Sequence, residues 1–221
     1  MRRGYQQYCA LARALDHVGD RWTLLVVREL LLGPRRYSDI RQALPGIATN
    51  LLADRLRGLE TGGLVRRREL PPPAAAVVYE LTEHGQGLEE AVMALIRWGG
   101  QFMGSRKPGE TFRAEWLVLA LRAVLPAPAP TGVTGTCEFR TDGMTVTVTV
   151  RSGRTEVVAG GAARPDAVLT CAPEHALGVA SGRYPLEQAL RDQHVTATGN
   201  SQTVIAFAHL FRAARDASGV A

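Results

Sequence analysis

LPGIATNLLADRLRGLETGGLVRRREL, residues 44–70, joins a Pro-Gly turn (Leu44-Pro45-Gly46-Ile47), an amphipathic helix (Thr49 to Thr61) and an arginine-studded strand (Leu64 to Leu70). A short helix opened by Ser38 precedes the turn, and a return strand at residues 77–81 follows. This order is the layout of a winged helix-turn-helix and points to double-stranded DNA as partner. Pro71-Pro72-Pro73-Ala74-Ala75-Ala76 is too proline-rich to pair, so it predicts a projecting loop, the wing. With Leu52, Leu56 and Leu59 turned inward, the 3.6-residue period puts Asn50, Asp54 and Arg57 on the opposite side, with Thr49 and Ala53 at its margins. Asn suits adenine, Arg guanine and Asp cytosine in the major groove, while Thr49 and the first-turn amides suit a phosphate. A plain solvated helix face is the alternative for the same side chains.

Charge supports the first reading. Residues 35–68 hold eight arginines (35, 36, 41, 55, 57, 66, 67, 68) against Asp39, Asp54 and Glu60, a local excess of five. Arg66 and Arg68 share one side of their strand and Arg67 the other, so at most two of the three are expected on one backbone. Arg35 and Arg36, just before the third helix, are candidates for flanking phosphates or for paired surface charges. Of 26 Lys plus Arg, 25 are Arg, which fits bidentate phosphate contacts and equally fits a GC-rich genome.

Upstream, Cys9, Leu11, Ala12, Leu15 and Val18 recur at three and four and predict a helix from Tyr8 to Val18. Asp20 is placed to cap a second helix, Arg21 to Leu32, apolar on nearly all sides and therefore central to the domain. After the return strand, Thr82 caps a further helix carrying Leu88, Val92, Leu95, Ile96 and Trp98, whose leftover apolar face predicts a dimer contact. Gly104 to Gly109 is small and charged, the composition of a boundary, giving domains 1–104 and 105–221. Beyond it come a helix (Glu115 to Leu125), strands at 134–140, 144–151, 155–159, 167–171 and 195–198, and helices at 174–181, 186–191 and 201–214, an α+β pattern. Asp142-Gly143 is a two-residue hairpin signal, and Met144, Val146, Val148 and Val150 alternate with threonines as a half-buried strand requires.

Several function classes find no support. The amino terminus lacks the apolar core of a signal peptide, and Leu24 to Leu32 and Trp116 to Leu125 fall short of the ~20 residues of a membrane span, so a cytoplasmic chain without membrane contact is expected. Cysteines 9, 137 and 171 are too scattered for a disulfide framework or a zinc knuckle, and the five histidines have neither ligand spacing nor a nucleophile-base signature. No catalysis, cofactor or metal is expected.

Cys9-Ala10-Leu11-Ala12-Arg13-Ala14-Leu15, Gly19-Asp20-Arg21-Trp22, Gly33-Pro34-Arg35-Arg36-Tyr37-Ser38-Asp39-Ile40, Leu44-Pro45-Gly46-Ile47, Gly63-Leu64-Val65-Arg66-Arg67, Tyr79-Glu80-Leu81-Thr82 and Trp98-Gly99 together resemble the HxlR-type regulators, relatives of the MarR group, over about residues 8–100. The resemblance implies a homodimeric winged-helix transcription factor on a pseudo-palindromic operator, with terminal helices forming the dimer. Ala48 stands where the family usually has a Ser or Thr cap, leaving Thr49 as a substitute that would shift the helix start. Ala76 and Val77 stand where the wing usually carries a cation, a place the triple arginine at the wing base would take over. Cys9 aligns with a cysteine that some members use to sense oxidants, a role that needs exposure and a cation such as Arg13; a buried structural cysteine is the alternative.

Residues 113–215, especially Asp166-Ala167-Val168-Leu169-Thr170, Ser181-Gly182 and Val195-Thr196-Ala197-Thr198-Gly199, resemble the SCP2 sterol-carrier fold. That likeness implies an apolar cavity and a small hydrophobic effector, with Trp116, Leu119, Leu177, Phe207 and Phe211 as lining candidates or ordinary core. A mainly α winged helix-turn-helix followed by an α+β SCP2-like domain is the expected architecture. The expected function is a DNA-binding regulator, a repressor, with an apolar-ligand carrier as the alternative.

Overall fold

The computed structural model describes residues 4–73, 75–104 and 107–218. Met1 to Arg3 of the amino-terminal stretch, Ala74 of the predicted wing loop, and Ser105 and Arg106 of the predicted boundary lie outside these. The chain forms two compact units, one up to Val92 and one from Met93.

The first unit runs α1 (Ala10–Val18), α2 (Thr23–Leu31), β1 (Arg35–Arg36), α3 (Tyr37–Ala43), α4 (Thr49–Thr61), β2 (Val65–Glu69), β3 (Val77–Leu81) and α5 (Glu83–Gln86). Its core is the expected one: Val26, Val27, Leu30, Ile40, Leu44, Leu52, Leu56 and Leu59 are at most 3% exposed. Local details depart from the sequence reading. Cys9 takes the N-cap position of α1, so that helix begins at Ala10 and not at Tyr8. Trp22, in the left-handed region with φ 78°, takes the N-cap position of α2 where Asp20 was expected. The backbone needs the turn there, and the Asp20 carboxylate lies 3.3 Å from Arg55. Nor is α2 apolar all round: Leu25 is exposed, while Glu29 is buried against the Arg28 guanidinium at 2.7 Å. Ser38 does not open α3. Arg36 takes the N-cap position, and its N–H donates to the Asp39 carboxylate at 3.1 Å.

The wing is a three-stranded antiparallel sheet in the order β1-β3-β2. Strand β1 was not foreseen, because two residues carry no periodicity; it pairs Arg35 with Tyr79 and Arg36 with Val78. Sequence reading also ran one helix from the Thr82 cap through Trp98 to a stop before Gly99-Gly100. The structure breaks it at Gly87 and Leu88, so that α5 precedes α6 (Glu89–Gly100). Thr82 caps as expected, its Oγ1 accepting from the Gly85 N–H at 3.1 Å and donating to the Gly63 carbonyl at 2.6 Å. Gly85 is pressed onto strand-entry backbone: a Cβ there would lie 2.0 Å from the Leu64 carbonyl oxygen.

Helix α6 starts in the first unit and ends in the second. By packing, the division thus falls earlier than the composition break at 104–109, and Arg97 on α6 donates to the Ala123 carbonyl at 3.0 Å. The second unit continues with α7 (Ala114–Val124), β4 (Gly135–Thr141), β5 (Met144–Arg151), β6 (Arg154–Ala159), β7 (Ala167–Cys171), α8 (Pro173–Ala180), α9 (Leu186–Arg191), β8 (Val195–Gly199) and α10 (Ser201–Ser218). Its sheet has the order β6-β5-β4-β7-β8, parallel only between β4 and β7. Asp142 and Gly143 both have positive φ, 46° and 74°, as a tight hairpin demands. Cys137, Phe139, Val146, Val148, Val150, Ala167 and Leu169 form a fully buried face, and Phe139 meets Phe211 of α10 edge-on at 5.6 Å. On the other face Glu138, 1% exposed, accepts from the Ala162 N–H at 2.7 Å and from Arg140 at 2.9 Å, which fastens the crossover segment to the sheet. Among the described residues no helix is long and apolar enough to cross a membrane.

Gly85→Ala is expected to cost about 1–3 kcal/mol of stability in the first unit, because backbone rather than a movable side chain occupies the space. Chemical denaturation followed by far-ultraviolet circular dichroism measures it, and an unchanged midpoint would contradict the close approach to Leu64.

Candidate nucleic-acid interface

Helix α4 has the predicted bounds, and its faces separate as the period requires. Leu52, Leu56 and Leu59 are buried, Thr49, Asn50, Asp54 and Arg57 are exposed, and Ala53 is half-buried. The helix starts at Thr49 with Ala48 as its N-cap residue and no side-chain cap, so Thr49 does not substitute for the missing Ser or Thr and the start is not shifted. Instead, Asn50 Oδ1 accepts from the Leu51 N–H at 2.9 Å. The Tyr37 hydroxyl donates to the Thr49 carbonyl at 2.7 Å, which ties the start of α3 to the start of α4. Arg57 donates to Asp54 Oδ1 at 3.0 Å with both side chains more than half exposed. A pair so wet contributes little to stability and opens readily toward another acceptor.

The arginines divide into three groups. Arg55 turns inward: its Nε donates to the Arg21 carbonyl at 3.0 Å, its guanidinium lies 3.3 Å from Asp20, and its side chain is 17% exposed. Counting it toward the surface charge was therefore an overestimate. Arg35 and Arg36 belong to β1, half-buried and exposed respectively, and by register they lie on opposite faces of the wing sheet. At the wing base, Arg66 and Arg68 do share a side, as predicted, and both donate through Nε to Glu80, each at 2.8 Å. The Arg68 hydrogen bond, with help from Arg66, holds the Glu80 carboxyl below the usual carboxylate range despite its partial desolvation. Arg67 lies over the Tyr79 ring, 5.6 Å from its centroid, on the other face. Ser38 is exposed on α3, with Oγ 3.3 Å from Asp39 Oδ1. Sequence reading missed Glu80 and Tyr79 as partners of the triple arginine, since cross-strand register is set by the hairpin as a whole.

The other singled-out positions scatter. Leu119, Phe207 and Phe211 are at most 1% exposed and pack as core, Trp116 and Leu177 are half-buried, and only Leu177 borders the groove between α6, α7 and α8. Cys9 is exposed, not buried, and Arg13, the cation expected to draw out its thiolate, lies 3.7 Å from Asp16. Burial pushes the Cys137 thiol up to about 12 and the Cys171 thiol up to about 11, Glu138 and Glu174 adding to the shifts, so both stay protonated. Two histidines that showed no spacing in sequence stack on each other, His175 and His194 at 4.4 Å, and the Tyr184 hydroxyl bridges His194 Nδ1 and Asp192. Burial and then Asp192 push that phenol up to about 12.

Residues 17–107 match the HxlR-like helix-turn-helix family, and residues 127–212 match the SCP-2 sterol transfer family. The HTH-type transcriptional regulator YodB of Bacillus subtilis is 36% identical over 102 residues, which are 46% of this chain and 88% of the relative. The chain belongs to the HxlR-like helix-turn-helix family. It is a transcriptional regulator of the HxlR type, with the SCP2 domain following. The YtfH regulator of Escherichia coli, described as uncharacterized, is 34% identical over 94 residues, 42% of this chain and 75% of the relative. The solved structure of the reduced form of YodB shares 32% identity with a TM-score of 0.39, covering 46% of this chain and 100% of that one. Each of these relatives matches less than half of this HxlR-type chain.

Arg55→Gln is expected to lower the stability of the HxlR-like domain by about 1–3 kcal/mol, since a largely buried charged donor and the Arg21 carbonyl lose each other. Arg57→Ala should leave stability unchanged. Thermal melts of both variants test the distinction, and an unshifted melt for Arg55→Gln would return Arg55 to the surface charges.

Proposed function

We propose that the chain binds a pseudo-palindromic operator as a homodimer and acts there as a repressor, with Asn50, Asp54 and Arg57 reading bases. The observation that carries this is the division of α4: one side seals the core, while the opposite side presents three hydrogen-bonding side chains with no packing role. Thr49 and Ala53 border that face, and Arg35, Arg36, Ser38, Arg66, Arg67 and Arg68 supply the candidate backbone contacts. Exposed apolar side chains support the dimer, Tyr5, Tyr8, Leu11 and Leu15 in the first unit and Leu95, Trp98, Phe102 and Met103 in the second.

The operator is sought among fragments from upstream of the protein's own gene by gel shift. Arg57→Ala should weaken binding to the selected fragment by about 1–3 kcal/mol and leave random duplex unaffected. Equal loss on both would contradict the assignment of Arg57 to a base. A wild-type chain without salt-sensitive retardation of any fragment would favour the carrier reading.

The second domain supports modulation by a small apolar molecule. Ile96, Met103, Ala120, Val124 and Leu177 line a groove in the second unit, with Arg97 and Arg183 at its edge. Arg183 donates to the Gly100 carbonyl at the end of α6, at 2.5 Å, so a molecule seated there bears on the helix that continues from the DNA-binding unit. Anilinonaphthalene sulfonate, an apolar anion, is a suitable probe. Leu177→Trp, which fills the groove, should weaken its binding about tenfold, a change of about 1.4 kcal/mol. Operator release by the probe should weaken in parallel; release unaffected by Leu177→Trp would place the effector elsewhere.

A further inference from the structure

The base of the wing carries a carboxylate between two of its arginines. Glu80 stands directly opposite Arg66 in the β2–β3 ladder, and Arg68 lies one pair further along on the same face. One Glu80 oxygen accepts from Arg66 Nε and the other from Arg68 Nε. The Glu80 side chain is only 12% exposed, while those of Arg66 and Arg68 are 66% and 45% exposed. The carboxylate is thus held inside and the two guanidiniums cover it from outside.

Two guanidiniums around one oxyanion is also how arginines hold a phosphate diester. We propose that Glu80 is an internal stand-in for DNA phosphate, which competes with the duplex backbone for Arg66 and Arg68 and thereby holds down the wing's affinity for DNA. The inference rests on the DNA-binding reading of the wing. Its basis is charge. The trio carries a net charge of one in place of two, and a phosphate brought to the outer edges of the guanidiniums meets the Glu80 carboxylate behind them. Screening confines that repulsion to about 10 Å at 0.1 M salt, so it bears chiefly on phosphates next to the wing base. The alternative is a cross-strand pair that serves the hairpin alone.

Glu80→Gln in the full chain decides between them. Gln keeps the size and one acceptor oxygen but removes the charge. Binding to a labelled mixed-sequence duplex is followed by fluorescence anisotropy across a sodium chloride titration, with a thermal melt of each variant alongside. Glu80→Gln is expected to bind the duplex about three- to tenfold more tightly at low salt, with the log–log salt slope steeper by up to about 0.9 per protomer. Arg66→Gln or Arg68→Gln added to Glu80→Gln should remove that gain, and each should cost more there than in the wild-type chain. Unchanged or weaker binding by Glu80→Gln, with the slope and the melt of the wild type, overturns the proposal. Should Glu80→Gln melt early, Glu80→Ser provides a second charge-free background, and an Arg68→Gln cost equal in Glu80→Ser and in the wild-type chain also overturns the proposal. Absence of salt-sensitive duplex binding by the wild type removes the DNA reading itself, and this proposal with it.

Discussion

The seating of Leu52, Leu56 and Leu59 beneath α4 is the constraint on which the first domain depends. All three are at most 1% exposed, and burial of a leucine side chain is worth about 1.5–3 kcal/mol, so rotation of this helix about its axis is strongly opposed. A helix that cannot rotate presents a fixed opposite face. The Tyr37 hydroxyl on the Thr49 carbonyl and the Arg55 contacts to Arg21 and Asp20 fix the same helix along its length. A base-reading face needs this rigidity, since hydrogen bonds to base edges tolerate little displacement.

What was legible in the sequence was whatever a local period or a turn writes into consecutive residues. The bounds of α4, the three leucines, the β5 alternation and the Asp142-Gly143 hairpin all belong to that class. What was not legible depends on residues far apart in sequence. Strand β1 exists only because β3 offers Tyr79 and Val78 to Arg35 and Arg36. The close approach of Gly85 to the Leu64 carbonyl, which sets α5 against the start of the wing, is a contact that the helical period does not contain. Asp20 looked like a cap because it precedes an apolar run, yet the cation that claims it comes from α4.

In the second domain the same division holds. Alternation assigns Val146, Val148 and Val150 to one buried face, which Phe139 and Leu169 join across the sheet, and leaves the threonines to the other. Glu138 is nonetheless almost wholly buried there, because residues 160–166 cross over it between β6 and β7 and the Ala162 N–H finds it. A charged residue on a polar strand face is ordinarily solvated; only the path of the crossover segment makes this one interior. Phe207 and Phe211, read as ligand wall or ordinary core, pack toward Phe139, and Phe211 also borders a small cavity with Val179, Leu186 and Ala208.

Electrostatics shows most clearly how a sequence count differs from a surface field. Eight arginines against three acids between residues 35 and 68 promise a strongly positive patch. The fold removes Arg55 to the interior, sets Arg67 on an aromatic face, and draws Arg66 and Arg68 onto Glu80, which lies outside the counted window. Arg57 is met by Asp54 on its own helix. The field that a duplex meets is therefore set by how readily each pair opens, and that ranks the cations differently from their number. The Arg57–Asp54 pair is wet on both sides and easily exchanged, whereas the Glu80 clamp shelters its carboxylate and shares it between two donors. On the proposed reading, base contact by α4 meets little internal competition and backbone contact by the wing meets more. Such an arrangement favours sites where α4 supplies the larger share of the binding energy, the condition for discriminating one operator from the bulk of DNA.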